Sequence, residues 1–248
     1  MSEEIFSAIP MRTWRWLGVN EIKTSAVVEE RMIDVPDGET QHVVEINDAD
    51  NPIAKRIRIN VGKGARVEVT AIDLNRADSA VELTIDLNGD DSSAEVESVY
   101  FGSDGRKIDL NYIIKQIGRR TDAVMNVRGA LTDRSEKNFR GTLDFQRGSK
   151  GSVGRESEEV ILLSKDVRNR SVPLMLSHED DVDGHHAVSV GRIDEEKLYY
   201  LESRGLDRAQ AERLIVEAAF APVLERIDDE KLRANLTDNI QRRLIDDQ

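Results

Sequence analysis

From about residue 41 onward, apolar and polar residues alternate. Ile57, Ile59 and Val61 are interleaved with Arg56, Arg58 and Asn60, and Val81, Leu83, Ile85 and Leu87 with Glu82, Thr84 and Asp86. Val67, Val69 and Ala71 repeat the pattern, as do Ala123, Met125 and Val127. Period two sends successive side chains to opposite faces, so these runs predict β-strands with one buried face. Turn chemistry breaks the runs at 62–64, 75–78, 89–91, 102–105 and 148–151. No helical spacing of any length occurs between residues 41 and 190. Strand centres recur roughly every 12–17 residues. A β-sandwich fits this pattern, and so does a β-solenoid in which each rung buries its face on the next. Periodicity alone does not separate them. There is no strict hexapeptide or calcium-binding nonapeptide repeat.

After residue 193 the period changes. Asp194 is a predicted N-cap with Glu195 and Glu196 in the first turn, where negative charge favours the helix dipole. Leu198 and Leu201 share a face, and Gly205 ends the helix. Asp207 caps a second helix, with Gln210 completing a capping-box-like pair. Its predicted apolar stripe is Ala211, Leu214, Ile215, Ala218 and Ala219, and Pro222 closes it. A third helix starts near Asp228 or Asp229 and carries Leu232, Leu236, Ile240 and Leu244 at four-residue steps. The arginines that stud these helices read as a solvated face, although a helical pair with an apolar stripe is also a common docking surface. Residues 1–40 look irregular. Pro10, Trp14, Trp16 and Leu17 read as a clasp whose tryptophans anchor it to the body, with a binding site as the alternative. The expected segments are thus a clasp (1–40), a β body (41–192) and a helical subdomain (193–248).

Composition narrows the function. The 248 residues allow one large domain or two small ones, and 39% hydrophobic with 33% charged residues describes a folded, soluble chain. Aromatics at 4% argue against sugar-stacking or base-stacking platforms. A net charge of −13 disfavours nucleic acid and anionic lipid. The absence of cysteine excludes disulfides, thiolate metal sites and a cysteine nucleophile within this sequence. With neither a secretory-length apolar run at the start nor a membrane-length one anywhere, the expectation is a cytoplasmic protein.

The candidate chemistry concentrates at 178–186, where His178, His185 and His186 stand among Glu179, Asp180, Asp181 and Asp183. On a strand, Val182, Gly184, His186, Val188 and Val190 share one face, and Asp181, Asp183, His185, Ala187 and Ser189 the other. Adjacent histidines therefore cannot chelate one metal together. His186 reads as a core histidine or as half of an iron or zinc site completed by another subunit, and His185 as a surface histidine near carboxylates. There is no nucleophile elbow or P-loop, and His42 is isolated. Acidic pairs such as Glu158/Glu159 are expected by chance among 48 acids.

The run ALTDRSEKNFRGTLDFQRGSKGSVGRESEEVILLS and then PLMLSHEDDVDGHHAVSVGRIDEEKLYYLESRGLDRAQAERLIVEAAF, together spanning 130–220, resemble the core of the SufB/SufD family, scaffold subunits of the SUF iron–sulfur cluster assembly system. The elements in family order are ILLS (161–164), PLML (173–176), DDV (180–182), His186, AVSVG (187–191), ID (193–194), LYYL (198–201) and SRG (203–205). The likeness is good over about the last half of the chain and loose before it. It implies a mainly β protein, a right-handed parallel β-helix with a C-terminal helical subdomain. It further implies a non-enzymatic, SufD-like scaffold that docks a SufC-like ABC ATPase through its C-terminal helices and pairs through its β-helix with a SufB-like paralogue or itself. Transferred to these positions, Leu198, Tyr199, Arg204, Gly205 and Leu214 would form the ATPase dock. His186 would stand at the pairing interface as a metal ligand, with Asp183 as a further group facing a cluster. No cofactor would be held stably by this chain alone, only a transient iron–sulfur cluster shared with a partner, and neither nucleic acid nor membrane would be a partner.

Departures from the family pattern shape these expectations. Gly184 stands where SufD-type sequences often have a cysteine, and the chain is shorter than usual members, its N-terminal region reduced. It is therefore expected to be a non-thiolate partner or a reduced paralogue, with thiolates supplied by another chain. A structural paralogue that holds the ATPase without handling iron, or a β-helix enzyme acting on carbohydrate, are the alternatives.

Overall fold

The computed structural model describes residues 4–24 and 26–246, so the expected segments 1–40 and 193–248 reach beyond the described residues at 1–3 and 247–248. Fourteen strands precede three helices: β1 (Glu4–Phe6), β2 (Ile22–Thr24), β3 (Val28–Val35), β4 (Thr40–Asn47), β5 (Ile53–Val61), β6 (Arg66–Asp73), β7 (Ser79–Leu87), β8 (Ser93–Gly102), β9 (Lys107–Gln116), β10 (Asp122–Leu131), β11 (Glu136–Phe145), β12 (Ser152–Leu162), β13 (Arg168–Ser177), β14 (Val182–Arg192), α1 (Glu195–Ser203), α2 (Arg208–Leu224) and α3 (Glu230–Asp246).

The sandwich-or-solenoid choice resolves to a parallel β-solenoid of about six turns. Even-numbered strands β4 to β14 form one six-stranded sheet and odd-numbered strands β3 to β13 the other. Every neighbour within these sheets is parallel and lies two strands away in sequence. The alternating residues read from sequence are the inward rows: Ile57, Ile59, Val61, Leu83, Ile85, Val67, Val69, Met125 and Val127 are all buried between the sheets. The rung lengthens along the chain, from 26 residues between Val28 and its partner Ala54 to 32 between Glu136 and Arg168. That drift is why no fixed repeat is visible.

The solenoid begins earlier than expected. β3 lies inside the supposed clasp and buries Ile33 and Val35, while its first half carries exposed Glu29, Glu30, Arg31 and Met32 and hides the alternation. The tryptophans do not anchor the N-terminal segment: Trp14 is 75% and Trp16 79% exposed. Phe6, Ile9 and Val19 are buried instead. Arg140 of β11, itself fully buried, donates to Val19 O at 3.2 Å and Ser7 Oγ at 3.0 Å and is paired with Asp109 of β9. These contacts strap residues 6–20 over the outer face of the odd-numbered sheet.

Helices α2 and α3 cover the outer face of the even-numbered sheet. Val216, Phe220, Val223, Leu236 and Ile240 pack on Ile72, Leu74, Val99 and Phe101. Polar ties fix the seating, with Arg226 donating to Glu95 at 2.6 Å and Arg243 to Leu74 O at 2.6 Å. The predicted caps hold: Asp194 accepts from Glu196 N, Asp207 and Gln210 form a full capping box, and Asp229 caps α3. Two readings are corrected. Pro222 lies inside α2, in its last turn, and the buried stripe runs through Ala211, Val216 and Phe220, which turns Leu214 outward. No helix among the described residues is long and apolar enough to cross a membrane.

Glycine is required where neighbouring turns approach. A Cβ on Gly129 would overlap the ring of buried Tyr100 one turn below. Gly129→Ala is therefore expected to lower stability by about 2–4 kcal/mol through overpacking. A urea titration followed by circular dichroism checks this, with the folded baseline unchanged.

Candidate functional site

The last turn of the solenoid is one of its two open ends. Among the described residues β14 pairs only with β12 and β13 only with β11, so each presents a free edge. In-register pairing sets His186 beside Glu156, Val188 beside Glu158 and His185 beside Arg155. Gly184 faces inward, where a Cβ would crowd Met175 and Phe145, so His186 and Val188 continue the inward row past the last covered rung and lie exposed. The sequence reading of the two faces is thus realised. Asp183 lies on the other side, where its Oδ1 is 2.9 Å from His185 Nε2. The structure does not bring Asp183 and His186 together, and among the described residues no group of three or more His, Cys, Asp or Glu side chains is placed to hold a metal ion.

Beneath this edge the interior is polar. Glu156 and Glu158, two apart on β12, both point inward and are buried. Glu158 accepts from Tyr100 Oη at 3.1 Å and is ion-paired with Lys137 of β11, which also donates to Ser171 Oγ at 3.0 Å. The Lys137 ammonium lies 5.6 Å from the ring centroids of Tyr100 and Phe139. Neither oxygen of Glu156 has a hydrogen-bond partner. Its carboxylate occupies space left by Gly141, whose missing Cβ would collide with it. Burial, reinforced by the charge of Glu158, pushes the Glu156 carboxyl up to about 8. Burial pulls the Lys137 ammonium down to about 8 against the opposing attraction of Glu158. Sequence reasoning dismissed Glu158/Glu159 as a chance pair. The readable signal was Glu156 with Glu158, which share the inward parity of Ser152, Gly154 and Val160.

The helical tail divides the predicted dock. Leu198 is 1% exposed, the buried residue of α1, so it is not available to a partner. Tyr199 and Leu214 are exposed, and Arg204 stacks over the neighbouring exposed Tyr200 ring at 5.2 Å. Gly205 adopts φ +97°, the left-handed turn that ends α1.

A parallel solenoid open at its last turn, with helices fastened along one flank, is the architecture these residues define. Residues 24–219 match the family described as SUF system FeS cluster assembly, SufBD core domain, and the chain belongs to this family. It is 29% identical over 183 residues to the iron–sulfur cluster assembly protein SufD of Bacillus subtilis, covering 74% of this chain and 42% of that protein. It is 26% identical over 192 residues to an iron–sulfur cluster assembly SufBD family protein of Mycobacterium leprae, covering 74% and 49%. The likeness to SufD of Escherichia coli is 29% over 114 residues, covering 46% and 27%. The chain thus spans less than half the length of these relatives.

The buried carboxyl makes stability pH-dependent in a defined direction. Glu156 keeps its proton up to about pH 8 when folded but releases it near its ordinary value of 4.5 when unfolded. Across that window the folded state binds more protons, so its contribution to stability falls as pH rises and is constant above. Between pH 5.5 and 8 the wild-type chain is expected to lose about 2–3 kcal/mol that Glu156→Gln does not lose. Urea midpoints at the two pH values measure this.

Proposed function

We propose that the chain is a non-catalytic, SufD-like scaffold subunit of SUF-system iron–sulfur cluster assembly. It docks a SufC-type ABC ATPase through its helical tail. It pairs through the last solenoid turn with a cysteine-bearing SufB-like subunit or with a second copy. The observation that supports this most is the free edge of β14, which has no proline and exposes Val188, Val190 and His186. An unpaired strand edge is a template for another strand. The edge of β13 is interrupted by Pro173, which lacks the donor a continuing ladder needs. His186, on a strand without a second ligand beside it, contributes one imidazole to iron delivered between two subunits, and thiolates come from the partner. Exposed Tyr199, Arg204 and Leu214 on helices otherwise fastened to the body support the ATPase dock.

Two outcomes test the reading. Tyr199→Ala with Leu214→Asp is expected to weaken binding to the SufC-like ATPase about tenfold or more by calorimetry, since exposed aromatic anchors dominate such interfaces. In a reconstituted system, His186→Ala is expected to reduce cluster formation while leaving ATPase binding intact. Unchanged cluster formation would assign the chain a purely structural role instead.

A further inference from the structure

We infer that the N-terminal loop 11–17 and the groove between α2 and α3 are the two halves of one interface between copies of this chain. The loop displays Met11, Trp14 and Trp16 at 54%, 75% and 79% exposure. Large side chains this exposed, close together, mark an interaction site. The loop is built to hold them. Asn20 accepts from Thr13 N at 2.6 Å and Thr13 Oγ1 at 3.0 Å, and returns a hydrogen bond to Thr13 O at 3.0 Å. A 3-10 turn over Arg15–Leu17 closes on Gly18, and Arg140 clamps the following Val19 carbonyl. Little conformational freedom is left to lose on binding.

Charge selects the occupant. The loop is cationic on a chain of net charge −13. Arg12 is paired with Glu21, whereas Arg15 has no ion pair among the described residues. An anionic bilayer would confront the charge of a whole face of the molecule; a protein groove meets only the loop. The groove of about 680 Å³ between α2 and α3 has the matching character. Leu214, Ala218 and Ala221 form its apolar floor, and Glu217, Glu225, Glu230 and Asp238 outnumber Arg233 at its rim. Glu217 and Asp238 are answered by Arg213 and Arg242, but Glu225 and Glu230 have no ion pair among the described residues. An unanswered guanidinium beside two indoles therefore faces two unanswered carboxylates above an apolar floor. The volume is in the range that receives such groups, about 300–1,000 Å³.

The strap lies over the odd-numbered sheet and the helices over the even-numbered one. One copy cannot fill its own groove, so the contact runs loop to groove between copies, head to tail. This goes beyond the scaffold reading. It shares Leu214 with the proposed ATPase dock, so the two contacts exclude one another. The test uses this chain alone, and its failure leaves the ATPase reading untouched.

Trp14 and Trp16 are the only tryptophans, so Trp14→Ala/Trp16→Ala is dark in tryptophan fluorescence while keeping its groove. Leu214→Asp/Ala218→Asp keeps the loop and spoils the groove. Titrating the dark variant into the groove variant is expected to shift the tryptophan emission to the blue and yield a one-to-one pair by sedimentation velocity. Added salt should weaken the pair. Titrating the groove variant into unlabelled copies of itself should give no shift. Absence of the shift in the mixed titration would overturn the inference. So would a blue shift on phosphatidylglycerol vesicles in place of the dark variant, which would assign the loop to lipid.

Discussion

Parallel in-register pairing sets each inward side chain over its counterpart one turn below, and this constraint governs the molecule. Leu83 sits over Ile57 and Ile85 over Ile59, so like packs on like from turn to turn. A residue that breaks the row must be accommodated in adjacent turns. Tyr100 is accommodated by Gly129, and the carboxylate of Glu156 by Gly141. The backbone of the inner strands finds partners on both sides, whereas the last rung has backbone groups on one side with no partner. The ends are thus where a solenoid either stops by capping or continues into another chain.

The two flanks are secured differently. On the odd-numbered side the buried guanidinium of Arg140, with Asp109 as its counter-ion, gathers the strap beside the packing of Phe6 on Ala54 and Ala80. Burial still holds the Asp109 carboxyl up at about 6 despite that cation. On the even-numbered side an apolar layer of helix and strand residues carries the contact, with Arg226 and Arg243 setting its register. The pinned strap leaves its loop projecting with both tryptophans in solvent. The broad helical contact leaves the outer seam between α2 and α3 uncovered.

Strand identity was legible because one-sided burial imprints period two on the sequence whatever the strands pair with. The same fact made the sandwich and the solenoid indistinguishable, since pairing partners leave no trace in alternation. Rungs drifting from 26 to 32 residues erased the repeat that would have separated them. Family likeness supplied what periodicity lacked. Helix caps were readable because Asp194, Asp207 and Asp229 act locally. Which side of α2 is buried was not, because that depends on the angle at which the helix meets the sheet, and Phe220 rather than Leu214 faced it. The tryptophans misled for a related reason: size argues for burial, but the strap was already fixed by Phe6, Ile9, Val19 and Arg140.

The histidine–acid stretch gains its meaning from the turn beneath it. His186 and Asp183 diverge on one strand, so proximity in sequence assembles nothing there. Proximity through the ladder is different. One rung down lie a carboxyl with no hydrogen-bond partner, Glu156, and an ion pair, Glu158 with Lys137. A purely mechanical solenoid gains nothing from such groups, since hydrophobic residues of similar volume would stack there at no desolvation cost. Glu156 and the Glu158–Lys137 pair lie next to the free edge, so the polarity of the interior there sits beside the strand proposed to pair with another chain.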